Sequence, residues 1–452
     1  MDRSAYTKWT PRPYQALFLP LVESRAVRRA VVLLGPRRVG KTVLIHHTIQ
    51  QLLRRGVHPA KVWYVSVDHP LYNGQSLESL AHLCAEASGS ALRSDEVTLF
   101  LDEIQYLREW EVHLKKLVED YPLLKCVVSG SAAAALRLKS TESGAGRFTD
   151  FLLPPLSFHE YLALKGEVDL VNPGDPDDEE DFGSTPDITA LNERFVHYLN
   201  FGGYPEVVLS PEIQADPARF VKADIIDKVL LRDLPSLYGI SDIQELNSLF
   251  TTLAFNTAQE VSLDELAKRS GVVKNTIKRY ITYLEAAFLL KIVHRVDRSA
   301  RRFQRAHAFK VYLTNPSLRA ALFSIAAADD PVTGSLVETA AFAQWFHSET
   351  VLYYARWPAG EVDLVSLGPA QKVAWAAEVK WSDRARERPE EVEGLRAFCR
   401  EHGLRSAVVT TRTWSGKVDQ GTRLSFVPAA LYCFTVGYNV VQGKRLRKEP
   451  AR

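Results

Sequence analysis

The sequence predicts an α/β protein: a parallel sheet flanked by helices, of the P-loop NTPase class, followed by a winged-helix domain and an α/β restriction-endonuclease-like domain. Three observations carry this prediction. Val31 to Leu34 is a buried apolar run that opens into a loop with two glycines and then an apolar-periodic helix. Three further apolar runs, Val62 to Val67, Val97 to Leu101 and Leu124 to Val128, alternate with helical stretches, as parallel strands buried on both faces do. Beyond residue 216 the pattern becomes helical, passes through a basic hairpin, and ends in a helix followed by two strands.

The chain has 452 residues, enough for about three domains of ~150 residues. Boundaries are expected at 1–215, 216–325 and 326–430, with a frayed basic tail at 431–452. Lys and Arg number 56 against 54 for Asp and Glu, so the overall charge favours neither nucleic acid nor a membrane surface. The four cysteines lack paired spacing and read as reduced, buried thiols of a cytoplasmic protein. MDRSAYTKWTPRPY has no apolar core for a secretory signal, and no run of ~18 apolar residues predicts a membrane span.

Gly35 to Thr42 fits GxxxxGK[ST] between a strand and a helix, the setting that motif requires. Such a loop turns its amides inward around phosphate, and a helix N-terminus adds its dipole. Gly35, Pro36, Arg37, Arg38, Val39, Gly40, Lys41, Thr42 and Val43 are therefore the expected ATP contacts. Lys41 would reach the β- and γ-phosphates, and the Thr42 hydroxyl would hold Mg²⁺. The 8–29 stretch ahead of the loop reads as a helix.

VTLFLDEIQYL supplies a third strand ending in Asp102 and Glu103. In this position Asp102 would bind Mg²⁺ through water, and Glu103 would polarise the water that attacks the γ-phosphate. Ser129 and Ser131, at the end of the fourth strand, are candidates to sense that phosphate.

LDEIQYLREWEVHLKKL, VVSGS, the GRF at Gly146 to Phe148, PPLSFHEYL and GGYPEVV together resemble the AAA-type P-loop ATPases of archaea and bacteria that carry a C-terminal domain of unknown function. The resemblance spans roughly residues 10–415. It implies that Arg147 lies near the phosphates, in cis or from a neighbouring subunit of a homo-oligomer, and that Tyr204 and Pro205 lie near the adenine. From its chemistry alone Arg147 equally suits a solvated loop. Between these motifs, the acidic, proline-bearing 171–187 segment reads as a disordered insertion.

Leu263, Leu266, Ala267, Gly271, Ile277, Tyr280, Ile281 and Leu284 fit helix-turn-helix spacing. A hairpin follows, carrying Arg295, Arg298, Arg301, Arg302 and Arg305, with Lys310 beyond. DNA contact through Lys274, Asn275, Lys278, Arg279, Arg298, Arg301 and Arg302 is one reading; a protein-packing module is the other. In the last domain, alternation places Glu361 and Asp363 on one strand face, and Glu378 and Lys380 on one face of the next. This resembles the PD-(D/E)xK nuclease superfamily, with Glu338 as a fourth member, although Val362 rather than proline precedes Asp363. The leading functional expectation is a Mg²⁺-dependent ATPase that couples nucleotide state to the C-terminal region, on DNA or on a protein partner. The alternatives are an ATP-switched DNA-binding regulator with little turnover, and an ATP-controlled, metal-dependent DNA endonuclease.

Overall fold

The computed structural model describes residues 6, 8–130, 146–297, 299 and 308–442, less positions 73, 108, 176, 179, 349, 359 and 369. They form two compact units, Met1–Pro154 with Ala286–Phe288, and Pro155–Glu285 with Leu289–Arg452. Among the described residues no helix is long and apolar enough to cross a membrane.

The first unit is built on five strands: β1 (Ala30–Leu34), β2 (Val62–Ser66), β3 (Val97–Asp102), β4 (Leu124–Ser129) and β5 (Phe148–Leu152). They are all parallel and lie in the order β2-β3-β4-β1-β5. Every residue of β1, β3 and β4 is buried, which is why these strands read as unbroken apolar runs, whereas the edge strand β2 alternates. Helices Lys41–Arg54, Leu77–Ser88 and Trp110–Asp120 flank the sheet, and Leu80, Trp110 and Leu114 pack into the same core as Leu99, Leu101 and Val128. The stretch ahead of β1 forms a helix over Gln15–Glu23. Because the strands run the same way, the ends of β1, β3 and β4 emerge at one edge of the sheet. With β4 between β1 and β3, Ser129 stands between the glycine loop and Asp102.

The second unit carries nine strands: β6 (Glu260–Ser262), β7 (Leu290–Val296), β8 (Ala308–Leu313), β9 (Leu352–Trp357), β10 (Gly360–Leu367), β11 (Val373–Glu378), β12 (Ser406–Thr411), β13 (Gly416–Asp419) and β14 (Arg423–Pro428). Their order is β13-β14-β12-β11-β10-β9-β7-β8-β6. The expected division at 325/326 therefore falls inside one sheet: β7 pairs with β9 in parallel through Arg295↔Tyr354 and Val296↔Ala355. The stretch read as one strand before Gly368 is two, β9 and β10, turning at Pro358, which has no amide to donate to a ladder.

Three other expectations are corrected here. Residues 155–215 group with the second unit rather than the first. Helix Phe158–Lys165, started by a capping box between Ser157 and Glu160, packs on helix Ala429–Val441, and the Phe158 amide donates to Gln344 Oε1 at 3.0 Å. Residues 431–441 are accordingly a buried helix and not a frayed tail; 443–452 lie outside the described residues. The acidic 171–187 segment is folded rather than disordered. It closes on itself through an Asn172↔Ser184 bridge, Asp181 accepts the Asp175 and Gly183 amides, Glu180 pairs with Lys417 and Arg423, and Thr435 donates to the Phe182 carbonyl. Its acids are satisfied by local amides and by cations of β13 and β14, partners too distant in sequence to be seen there.

Candidate functional site

The glycine loop takes the conformations its residues allow. Gly40 precedes helix Lys41–Arg54 with φ 91°, a left-handed value that a side chain disfavours. At Gly35 a Cβ would stand 2.2 Å from the Leu153 carbonyl oxygen, so only glycine fits against that backbone. Arg38 is also left-handed, at φ 63°. The buried Lys41 ammonium donates to the loop's own carbonyls, Gly35 O at 3.0 Å and Pro36 O at 2.7 Å. Burial pushes its pKa down to about 8, against the opposing pull of Glu103 and Asp102.

Asp102 ends β3 at the same edge and is buried. Its Oδ2 accepts from Thr42 Oγ1 at 2.7 Å and from the Tyr64 hydroxyl at 3.0 Å, while its Oδ1 accepts from Ser129 Oγ and from the Glu103 amide at 3.1 Å. Burial, then the neighbouring Asp102 charge, raises the Tyr64 pKa and keeps that phenol a donor. All four groups on Asp102 are neutral donors, so its negative charge is oriented and not cancelled. Glu103, half-buried and left-handed at φ 56°, turns away from the strand direction, and Gln105 donates to its Oε2. The Thr42–Asp102 pair is a hydroxyl and a carboxylate at the mouth of a phosphate-type loop, the donor set that suits Mg²⁺.

The structure does not bring Arg147 to this edge. It immediately precedes β5, whose Phe148 pairs with Ala30 at the start of β1, and its carbonyl accepts the Ala30 amide at 2.9 Å. The loop leaves the other end of β1, five residues on, or roughly 16 Å along a strand. Arg147 instead pairs with Glu119 at 3.2 Å. Ser131 lies outside the described residues. Tyr204 and Pro205 belong to the second unit, where Tyr204 is buried with no hydrogen-bond partner for its hydroxyl among the described residues. Their turn is packed from within that unit: a Cβ at Gly203 would meet Ser317 Oγ at 2.6 Å.

In the second unit, helices Leu263–Ser270 and Lys274–Ala286 flank a turn at Gly271, and strands β7 and β8 follow. Ile277, Tyr280, Ile281 and Leu284 are buried, while Lys274, Asn275, Lys278 and Arg279 are exposed on the other face. Lys274 pairs with Asp264. Arg298, Arg301 and Arg302 lie outside the described residues. Arg295 is no hairpin-tip charge: it donates to the Arg356 carbonyl at 2.7 Å.

Glu338, Asp363, Glu378 and Lys380 do gather. Asp363 falls where β10 gains a residue against β9, between Val362↔Ala355 and Val365↔Tyr353. Its Oδ2 accepts the Val379 amide at 2.9 Å, and Lys380 Nζ donates to Glu378 Oε1 at 2.7 Å. The unforeseen member is Lys310 of β8, whose buried Nζ lies 2.8 Å from Glu338, 2.7 Å from Glu361 and 3.0 Å from Asp363. Burial pushes Glu338 up to about 7 and Glu378 up to about 8; burial would raise Asp363 too, but Lys310 and Lys380 hold it below the usual range. Among the described residues no group of three or more His, Cys, Asp or Glu is arranged to hold a metal ion.

Sequence reasoning missed three residues. Buried Arg12 donates from Nη1 to Val39 O at 2.8 Å and to Pro154 O at 3.0 Å, bracing the glycine loop, and nothing local marks it. Tyr64 is an aromatic on an edge strand. Lys310 had the one available signal, a lone charge in the apolar run AFKVYL.

The parallel sheet, the glycine loop and the acid-ended strand define a P-loop ATPase domain of the AAA type. Residues 27–162 match a family model described as an AAA domain, and residues 192–329 one described as a domain of unknown function (DUF8612). An uncharacterized protein of Haemophilus influenzae is 24% identical over 294 residues, which cover 64% of this chain and 68% of that protein. One of Methanocaldococcus jannaschii is 23% identical over 321 residues, 69% of this chain and 66% of that protein. The Walker-type ATPase paby2304 of Pyrococcus abyssi superposes with a TM-score of 0.38 at 14% identity, covering 70% of this chain and 99% of that one.

Proposed function

We propose that the first unit binds ATP with Mg²⁺ and hydrolyses it. The observation that carries this reading is the 2.7 Å pairing of Thr42 with Asp102 beside Lys41, where the phosphate loop meets the acid-ended strand. ATP phosphates replace Gly35 O and Pro36 O as the partners of the Lys41 ammonium, and the loop amides from Gly35 to Thr42 surround them. Thr42 and Asp102 would hold Mg²⁺, which supplies positive charge against the phosphate oxygens. Glu103 orients a water whose oxygen bonds to the γ-phosphorus while the bond to the β,γ-bridging oxygen breaks. The carboxylate accepts the water proton, and ADP leaves with the electron pair. Ser129, through its bond to Asp102, positions that carboxylate.

A second reading, DNA contact by the second unit, is supported by Lys274, Asn275, Lys278 and Arg279, which stand exposed on one helix face opposite a buried one. One experiment tests both. Mg²⁺-dependent ATP turnover is measured with and without duplex DNA for wild type and Glu103→Gln. The variant is expected to bind ATP with wild-type affinity and to turn over at least ~100-fold more slowly. Wild type that binds ATP but never hydrolyses it removes the enzyme reading. Turnover and gel mobility unaffected by DNA at low salt remove the second.

A further inference from the structure

A PD-(D/E)xK-like hairpin implies a divalent metal, and the residues gathered around Asp363 do not fit one. Lys310 donates its three ammonium protons to three carboxylates, Glu338, Glu361 and Asp363, at 2.7–3.0 Å, so its donor capacity is filled. Other acceptor positions of the cluster are also in use. The Tyr312 hydroxyl donates to the same Glu338 oxygen at 2.6 Å, the Val379 amide holds the second Asp363 oxygen, and Lys380 holds one Glu378 oxygen. Magnesium needs about six oxygens at roughly 2.0–2.1 Å. Here the carboxylate oxygens stand off at the radius of an ammonium ion, with that ammonium at their centre.

We propose that Lys310 is the resident cation of this cluster, standing where a divalent ion would have to sit, so that the nuclease-like centre takes no metal while Lys310 is in place. Two features support this beyond the ion pairs. Lys310 comes from β8 and its partners from helix Thr333–Ala343 and strand β10, so the ammonium ties together the two parts of the sheet that β7 and β9 join. Glu378, more than nine-tenths buried, keeps Oε2 without a hydrogen-bond partner among the described residues, an acceptor still open to a cation. Replacing Lys310 with a neutral chain of similar length leaves Glu338, Glu361 and Asp363 facing one another without a counter-charge. A larger divalent ion such as Mn²⁺ or Ca²⁺ then becomes the ligand that relieves them.

The test uses the full chain without nucleotide. Mn²⁺ uptake is counted by the loss of the free-ion EPR signal, and melting is followed with and without millimolar Mn²⁺. For wild type we expect the same uptake as Glu378→Gln and no Mn²⁺-dependent rise in melting temperature. For Lys310→Met we expect one additional Mn²⁺ per chain and a melting temperature lowered in chelator and restored by Mn²⁺, with both gains abolished in Lys310→Met/Asp363→Asn. Should Lys310→Met not fold, the wild-type comparison decides alone. A wild-type Mn²⁺ site lost in Glu378→Gln overturns the proposal, and equal uptake upholds it. Since no ATP is present, failure here is separate from failure of the ATPase reading.

Discussion

Arg12→Ala removes a guanidinium that no motif announces. Its Nη1 spans two carbonyls, Val39 O in the phosphate loop at 2.8 Å and Pro154 O at 3.0 Å, and its charge lies over the Tyr14 ring at 5.4 Å. Hydrogen bonds to charged groups contribute roughly 1.5–3 kcal/mol each, and a buried carbonyl that loses its donor costs about 1–3 kcal/mol unless water replaces it. Two such bonds, with partial rescue by water, put the loss on the order of 3 kcal/mol. Part of this appears as lower stability and part as a loop less often held in its phosphate-ready form. If half falls on the loop, the affinity for ATP drops about tenfold, since about 1.4 kcal/mol is a factor of ten. Titration with a fluorescent ATP analogue, alongside thermal melts, separates the two parts. Arg12→Lys, which keeps the charge but loses the planar fork, is expected to fall between wild type and alanine. Wild-type affinity together with a wild-type melting temperature in Arg12→Ala would show that the loop does not depend on this brace.

Two pH dependences follow from burial. Lys41 without nucleotide has a pKa of about 8, and phosphate partners restore it toward an ordinary lysine; above about pH 8 ATP binding therefore takes up a proton, and affinity falls by up to about tenfold for each further pH unit. Calorimetry at about pH 9 in buffers of different ionisation enthalpy measures that uptake, and a value of zero would sink the assignment. Glu378 is raised from 4.5 to about 8 by burial and then by Asp363, with the Lys380 and Lys310 charges opposing. A raised folded pKa gives stability that is complete below about pH 4.5 and lost as pH climbs toward 8. Glu378→Gln holds the uncharged form throughout. It should gain on wild type across that window by a few kcal/mol, since a tenfold change in proton affinity is worth about 1.4 kcal/mol. Denaturant melts at about pH 5, 6.5 and 8 check this, and parallel pH profiles would refute it.

What could be read in the chain was what is encoded within a few residues. Val31 to Thr42 specifies strand, glycine loop and helix consecutively, because the φ value at Gly40 and the approach of Gly35 to Leu153 are demands on single residues. The runs ending at Asp102 and Ser129 were legible for the same reason. The joining of β7 to β9 was not, since parallel pairing across some sixty intervening residues leaves no periodic trace. Arg147 shows the opposite error. A short motif suggested a role at the phosphates, and strand register, which no local pattern carries, put it at the far end of β1. Lys310 was visible as an odd charge in an apolar strand, but its three partners lie 28, 51 and 53 residues further along the chain.

The two acidic clusters differ in a way that decides their chemistry. Asp102 accepts from Thr42, Tyr64, Ser129 and the Glu103 amide, four neutral groups that fix its oxygens in place while leaving its charge available to a cation. Asp363 accepts from an amide and from the Lys310 ammonium, so its charge is already met by the fold. Both are buried aspartates at the heart of a sheet, and burying a carboxylate is tolerable only with such partners. The first arrangement reserves electrostatic attraction for a ligand that comes and goes. The second commits the same attraction to holding β8, the 333–343 helix and β10 together, which is why a nuclease-like outline here need not carry nuclease chemistry.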